Sequence, residues 1–164
     1  MMRIIILFLI LTTNIIAEEI IGVPRIVDGD TVHIKEYKIR LEGIDAPEMR
    51  QKCKKEKLKI SSLIGFILYK EYNCGEVSKE KLESKVDRAK IKCISSSKDK
   101  YERYLAKCFK DKINLNQWMV RNGHAVAYRR YSKEYIPDED FAKENELGLW
   151  QGKFLDPEKW RKLN

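Results

Sequence analysis

The stretch Val27-Asp28-Gly29-Asp30-Thr31, followed by Ile39-Arg40-Leu41 and then by Gly43-Ile44-Asp45-Ala46-Pro47-Glu48, decides how the chain reads. Between Gly22 and Leu41 the residues alternate in strand fashion: Val32 and Ile34 share one face, then Tyr37, Ile39 and Leu41 share one face of the next run, with Arg40 facing away. Asp28 and Asp30 stand at i and i+2, so an extended chain points both carboxylates the same way, and Gly29 lets the backbone turn closely between them. Asp45 and Glu48 add two more acids. Carboxylates gathered at one place repel and raise each other's pKa unless a cation balances them, so a hard, oxygen-seeking metal is the economical reading, with calcium the best fit. An Asp-Gly-Asp triplet alone reads as a plain turn. An EF-hand fits poorly, because the loop lacks the third acid at position five and the bidentate Glu at position twelve.

Outward from this stretch, residues 53–72 are lysine-rich and then apolar, compatible with either helix or strand. Glu76 to Val86 reads as a helix, while Lys90 to Ser95 and Tyr104 to Phe109 read as paired strands joined by a turn over Ser95 to Asp99. Asn114 is placed to cap a helix bearing Leu115, Trp118 and Met119, with Gly123 as its stop. Pro137-Asp138 can start a further helix, which Gly148 closes. Trp150, Phe154 and Trp160 read as packing aromatics. Strands first, a helix, two more strands and then helices describe an α+β domain, a small β-barrel of OB type with packed helices.

At 164 residues, one domain is expected. Its 33 Lys and Arg against 25 Asp and Glu give a charge of +8, which favours a polyanionic partner such as DNA, RNA or an anionic surface. Met1-Met2-Arg3, an apolar run from Ile4 to Ile16 and Ala17 before two glutamates read as a secretory signal over residues 1–17, although an uncleaved anchor stays open. Removing it takes away only Arg3, so +8 becomes +7. Cys53, Cys74, Cys93 and Cys108 then suit two disulfides, with Cys53–Cys74 and Cys93–Cys108 favoured by proximity along the chain. A zinc site is disfavoured, since no two cysteines have the close spacing of structural zinc ligands and there are only two histidines.

The Asp-Gly-Asp-Thr turn, the arginine after it and the Asp-Ala-Pro-Glu turn occur here in one order, and together they resemble the staphylococcal nuclease family. The resemblance continues through Asp99-Lys100-Tyr101-Glu102-Arg103-Tyr104-Leu105-Ala106, through Leu115 to Tyr128 and through Gly148-Leu149-Trp150. It implies a five-stranded OB barrel with about three helices over residues 18–164, acting as a calcium-dependent endonuclease on DNA or RNA. By position it implies Asp28, Asp30, Asp45 and the carbonyl of Ala46 as calcium ligands and Glu48 as the residue that orients or deprotonates water. Arg40 and Arg103 would hold the scissile phosphate, and Lys100, Tyr101 and Tyr128 would contact nucleotide. In-line attack leaving 3′-phosphate ends is implied as well.

This chain departs from the family pattern in three places: Ala46 where the best-known member has threonine, Glu102 where glycine is usual, and an enlarged connection from Cys53 to Cys74. Glu102 is expected to pair with Arg103 and weaken phosphate capture. The rival readings are an OB-fold module that binds single strands without cutting them, and a basic envelope protein. The acids and arginines are all present, which favours the enzyme, a monomer secreted or released to the periplasm.

Overall fold

The first barrel strand is bent rather than straight. Its halves, β1 (Glu18–Gly22) and β2 (Arg25–Ile26), are separated by Val23-Pro24, where proline has no N–H to give to a ladder. In this computed structural model, which describes residues 17–60 and 66–164, β3 (Thr31–Ile34) and β4 (Tyr37–Leu41) follow as an antiparallel meander. Then come β5 (Ile44–Asp45), β6 (Lys52–Ile60), β7 (Phe66–Asn73), α1 (Cys74–Val86), β8 (Ile91–Lys98), β9 (Tyr104–Lys110) and β10 (Ile113–Asn114). The chain ends with α2 (Leu115–Arg121), β11 (Val126–Ala127), α3 (Ile136–Glu144), a 3-10 turn (Gly148–Gln151), β12 (Gly152–Lys153) and α4 (Pro157–Leu163).

The main sheet runs β1-β8-β9-β4-β3-β2, with β4 and β9 parallel and the other neighbours antiparallel. Because β1 and β2 are one bent segment, the path begins and ends on the same piece of chain, and the sheet curls on itself in the OB manner. The inward positions of the alternation fill it: Val32, Ile34, Ile39, Leu41 and Ile91 are buried together with Leu82 of α1 and Leu115 and Met119 of α2. Burying each such side chain contributes roughly 1.5–3 kcal/mol. The α+β barrel architecture is therefore as expected, with one more α-helix than expected, α4, whose start is capped by Asp156 accepting from the Lys159 N–H at 3.2 Å.

Both favoured disulfides are present. Cys93–Cys108 joins residues directly opposite on β8 and β9, and Cys53–Cys74 closes the base of the β6–β7 hairpin. That hairpin settles the open reading of 53–72 as strand: Cys53 pairs with Tyr72 and Lys54 with Glu71, β12 adds to its edge, and Trp150 and Phe154 pack against the disulfide. The expected turn at Ser95 to Asp99 lies further along the chain. β8 continues to Lys98 through a register shift between Ser95 and Ser97, because the Ser95 hydroxyl binds within the sheet to the carbonyls of Ser97 and Leu105. The turn forms instead after Asp99, whose carboxylate accepts the N–H groups of Tyr101 and Arg103.

Asn114 caps α2 as expected, accepting from the Gln117 N–H at 3.1 Å. Gly123 follows the helix at φ +68°, so close to Leu147 that a Cβ would lie 2.1 Å from its carbonyl oxygen. The expected leader falls, apart from Ala17, outside the described residues.

Next to this turn His124 packs on Trp118, with ring centroids 5.3 Å apart, and burial together with the charge of Lys81 lowers its pKa to about 4. A neutral imidazole in the fold contributes stability above the unfolded value near 6.5, and that contribution is lost as pH falls through about 4. Urea denaturation should therefore show stability declining between pH 6.5 and 4, with a smaller decline in His124→Gln. An NMR titration midpoint near 6.5 for His124 would contradict this.

Candidate active site

The acidic turn is built around Asp30. Its N–H donates to Asp28 Oδ1 at 3.0 Å, so Asp28-Gly29-Asp30 is an Asx-type turn rather than the extended pair expected from spacing. Gly29 allows close cover, since a Cβ there would lie 1.9 Å from Ser78 Oγ on α1 and 2.7 Å from the Ala46 side chain. Asp30 Oδ2 accepts the Ala46 N–H at 2.7 Å, and Oδ1 accepts the Thr31 hydroxyl at 3.0 Å. Asp45 arrives on β5, held opposite Val126 of β11. Arg40, opposite Thr31 on the neighbouring strand, reaches both acids: its guanidinium donates to Asp30 Oδ1 and, at 2.8 Å, to Asp45 Oδ1.

A second guanidinium, which the sequence did not single out, comes from α4. Arg161 donates to Asp45 Oδ1 and Oδ2, each at 2.9 Å, and to Glu48 Oε1 at 2.9 Å. Gln51 ties the same parts together: its side chain accepts the Glu48 N–H at 3.2 Å and donates to the Leu155 carbonyl at 2.6 Å, just before α4. Arg161 lies 116 residues from Asp45, and Gln51 sits in an unremarkable run, so neither carries a local spacing signal.

Asp30 and Asp45 are 2% and 1% exposed. Burial pushes the Asp30 carboxyl up to about 6 despite Arg40, and it raises Asp45 despite the hydrogen bonds from Arg161. For Arg161 burial opposes the charge, but Asp45 and Glu48 outweigh it and raise its pKa. Four carboxylates (Asp28, Asp30, Asp45, Glu48) face two guanidiniums (Arg40, Arg161), leaving a net charge of −2. Among the described residues no three of these acids converge as a metal cage, because the carboxylates close on guanidinium nitrogens. The acids gathered here nevertheless offer the oxygen donors a hard divalent cation takes: two of them are buried, and the residual charge equals that of one such ion.

Arg103 takes a different place. Its Nε and terminal nitrogen bind Asp99 Oδ2 at 2.8 and 2.7 Å, and its guanidinium lies 5.5 Å from the Tyr101 ring. It lies in the turn just before β9, whose Leu105 is the register partner of Arg40, and its guanidinium is held by Asp99 rather than by the acids around Arg40. The expected Glu102–Arg103 pair does not form. Asp99 reaches the guanidinium because its backbone bonds already orient it, while Glu102, at φ +61°, turns outward toward Lys98 at 3.7 Å. Tyr101 is 65% exposed, with the Lys100 ammonium 4.8 Å from its ring. Tyr128 follows β11, its N–H bound to the Gly43 carbonyl at 2.9 Å and its ring 6.0 Å from the Arg161 guanidinium. Lys100, Tyr101 and Arg103 thus share one turn, and Tyr128 borders the Asp45 side of the site.

Residues 38–152 match the family model described as staphylococcal nuclease homologue. The chain belongs to the staphylococcal nuclease family. Among its relatives, an uncharacterized endonuclease of Haemophilus influenzae is 31% identical over 148 residues, covering 85% of this chain and 71% of the relative. The succinoglycan biosynthesis protein ExoI of Rhizobium meliloti is 30% identical over 138 residues, or 82% of this chain and 66% of that protein. A probable staphylococcal-like nuclease of rice, CAN3, is 26% identical over 81% of this chain, which covers only 30% of its length. A staphylococcal nuclease fold places the chain among the nucleases, hydrolases with a nucleic acid substrate. The matched span contains Arg40, Asp45, Ala46, Glu48, Lys100, Tyr101, Arg103 and Tyr128, whereas Asp28, Asp30 and Arg161 lie outside it.

The two arginines differ in what their loss leaves behind. Arg40→Gln strips a partner from two buried acids and should cost about 3–5 kcal/mol in urea denaturation at neutral pH without metal. Arg103→Gln breaks a pair whose side chains are 28% and 16% exposed, but it leaves Asp99 with two backbone donors, and it should cost about 1 kcal/mol or less. Equal losses in the two variants would contradict the charge balance described.

Proposed function

We propose that the protein is an exported, calcium-dependent endonuclease that hydrolyses phosphodiester bonds of DNA or RNA with little sequence specificity, residues 18–164 forming its single nuclease domain. The supporting observation is the Asp30–Arg40–Asp45 bridge with Glu48 joined to it through Arg161. Asp28, Asp30, Asp45 and the Ala46 carbonyl would hold calcium, and a cation there would supply positive charge against the charge that builds on the phosphoryl oxygens. Glu48, whose side chain is 35% exposed, faces solvent enough to take a proton from an attacking water. Arg40 and Arg103 donate to the phosphate oxygens, where planar, permanently charged donors stabilise a five-coordinate phosphorus most.

Lys100, Tyr101 and Tyr128 grip the flanking nucleotides through charge and ring stacking, contacts that carry little sequence information. Export is supported by the two disulfides, and among the described residues no helix is long and apolar enough to cross a membrane.

The test is incubation with plasmid, single-stranded DNA and RNA, in calcium and in chelator. Cleavage in calcium that stops in chelator is expected, and Glu48→Gln should retain DNA binding while losing about 10²- to 10⁴-fold in rate. Binding without cleavage by the unaltered protein would make it an inactive OB-fold module instead, and undiminished turnover in Glu48→Gln would remove Glu48 from the mechanism.

A further inference from the structure

Arg161 occupies both carboxylate oxygens of Asp45 and one of Glu48, all at 2.9 Å, while Arg40 shares Asp45 Oδ1. Asp45 therefore has no carboxylate oxygen free of a guanidinium. A divalent ion drawing on the same oxygens would stand within a few ångströms of two arginines, and like charges at that range repel strongly in a site with buried walls. One of the two must give way, and their settings differ. Arg40 is fixed in the barrel wall by β4 and its side chain is 14% exposed, bridging two acids across the strands. Arg161 extends from α4, the last helix described, with a side chain 32% exposed and its guanidinium 6.0 Å from the Tyr128 ring.

We propose that Arg161 is the displaceable counter-ion of the metal site: it neutralises Asp45 and Glu48 while no cation is bound, and it releases Asp45 when a divalent cation binds. α4 thereby sets the affinity of the site for metal, and metal binding is coupled to the position of the C-terminal segment. The coupling has a mechanical link, because Gln51 joins the Glu48 turn to Leu155 at the entry to α4. Charge bookkeeping agrees with the direction: without Arg161, the four carboxylates and Arg40 would carry −3 rather than −2. The inference rests on the calcium-site reading above but not on catalysis.

Calorimetric titration of calcium into the full chain tests it, comparing the unaltered protein, Arg161→Gln and Lys162→Gln. Lys162 is the next residue, pairs only with Glu158 among the described contacts, and removes the same charge outside the site. Arg161→Gln should bind calcium at least about tenfold more tightly, while Lys162→Gln should change affinity less than about twofold. In chelator Arg161→Gln should unfold at lower urea than the unaltered protein, with the difference closing in excess calcium. If Arg161→Gln does not fold in chelator, Arg161→Lys, which keeps a charge but loses the two-pronged grip, should bind calcium more tightly than the unaltered protein. Unchanged or weaker calcium binding in the Arg161 variants, or no calcium binding by any of them, overturns the proposal. Calcium binding with the expected ranking but no cleavage of nucleic acid would leave it standing and remove the nuclease reading alone.

Discussion

Two buried carboxylates, Asp30 and Asp45, cannot stay charged inside this barrel without cations beside them, and much of the local structure follows from that constraint. Removing an ion from water costs about several kcal/mol even after relaxation, and both acids are almost wholly enclosed. Arg40 answers the constraint from the barrel wall, Arg161 answers it from the far end of the chain, and the Ala46 N–H and Thr31 hydroxyl add a further donor to each oxygen of Asp30. A site that keeps two acids ionised and buried is already shaped for positive charge, which suits one built to take a cation and a phosphate.

The barrel supplies rigidity at the points where the site needs it. Arg40 stands between Ile39 and Leu41, both buried, so its backbone cannot shift without moving the core. Asp45 is the last residue of β5, fixed opposite β11, and the Asp28 turn is pressed between Ala46 and α1 through Gly29. The C-terminal helix holds its arginine nearer to solvent, the Arg161 side chain being 32% exposed against 14% for Arg40. It is short, yet it reaches the centre of the acidic group through Arg161 and is stitched to the Glu48 turn by Gln51.

The sequence revealed those parts whose signals are local. Alternation located β3 and β4, Asn114 and Gly123 marked the ends of α2, and even chain proximity sufficed to pair Cys93 with Cys108, because they lie opposite on adjacent strands. The β6–β7 hairpin was ambiguous because its apolar run fits either period, and pairing with β12 is decided by residues about a hundred positions away. Glu102 misled for a related reason: adjacency suggested a pair with Arg103, but backbone conformation, not sequence distance, decides which carboxylate reaches a guanidinium, and Asp99 was already oriented by its turn. Arg161 was invisible, since nothing in Trp160-Arg161-Lys162 announces that one of three cationic or aromatic side chains turns inward.

The most direct measurement is a crystal structure of the full chain grown with calcium. An ion coordinated by Asp30 and Asp45 is expected, with Arg40 retained nearby and the Arg161 guanidinium withdrawn from Asp45. An ion bound elsewhere, with the two-pronged Arg161–Asp45 contact intact, would contradict it.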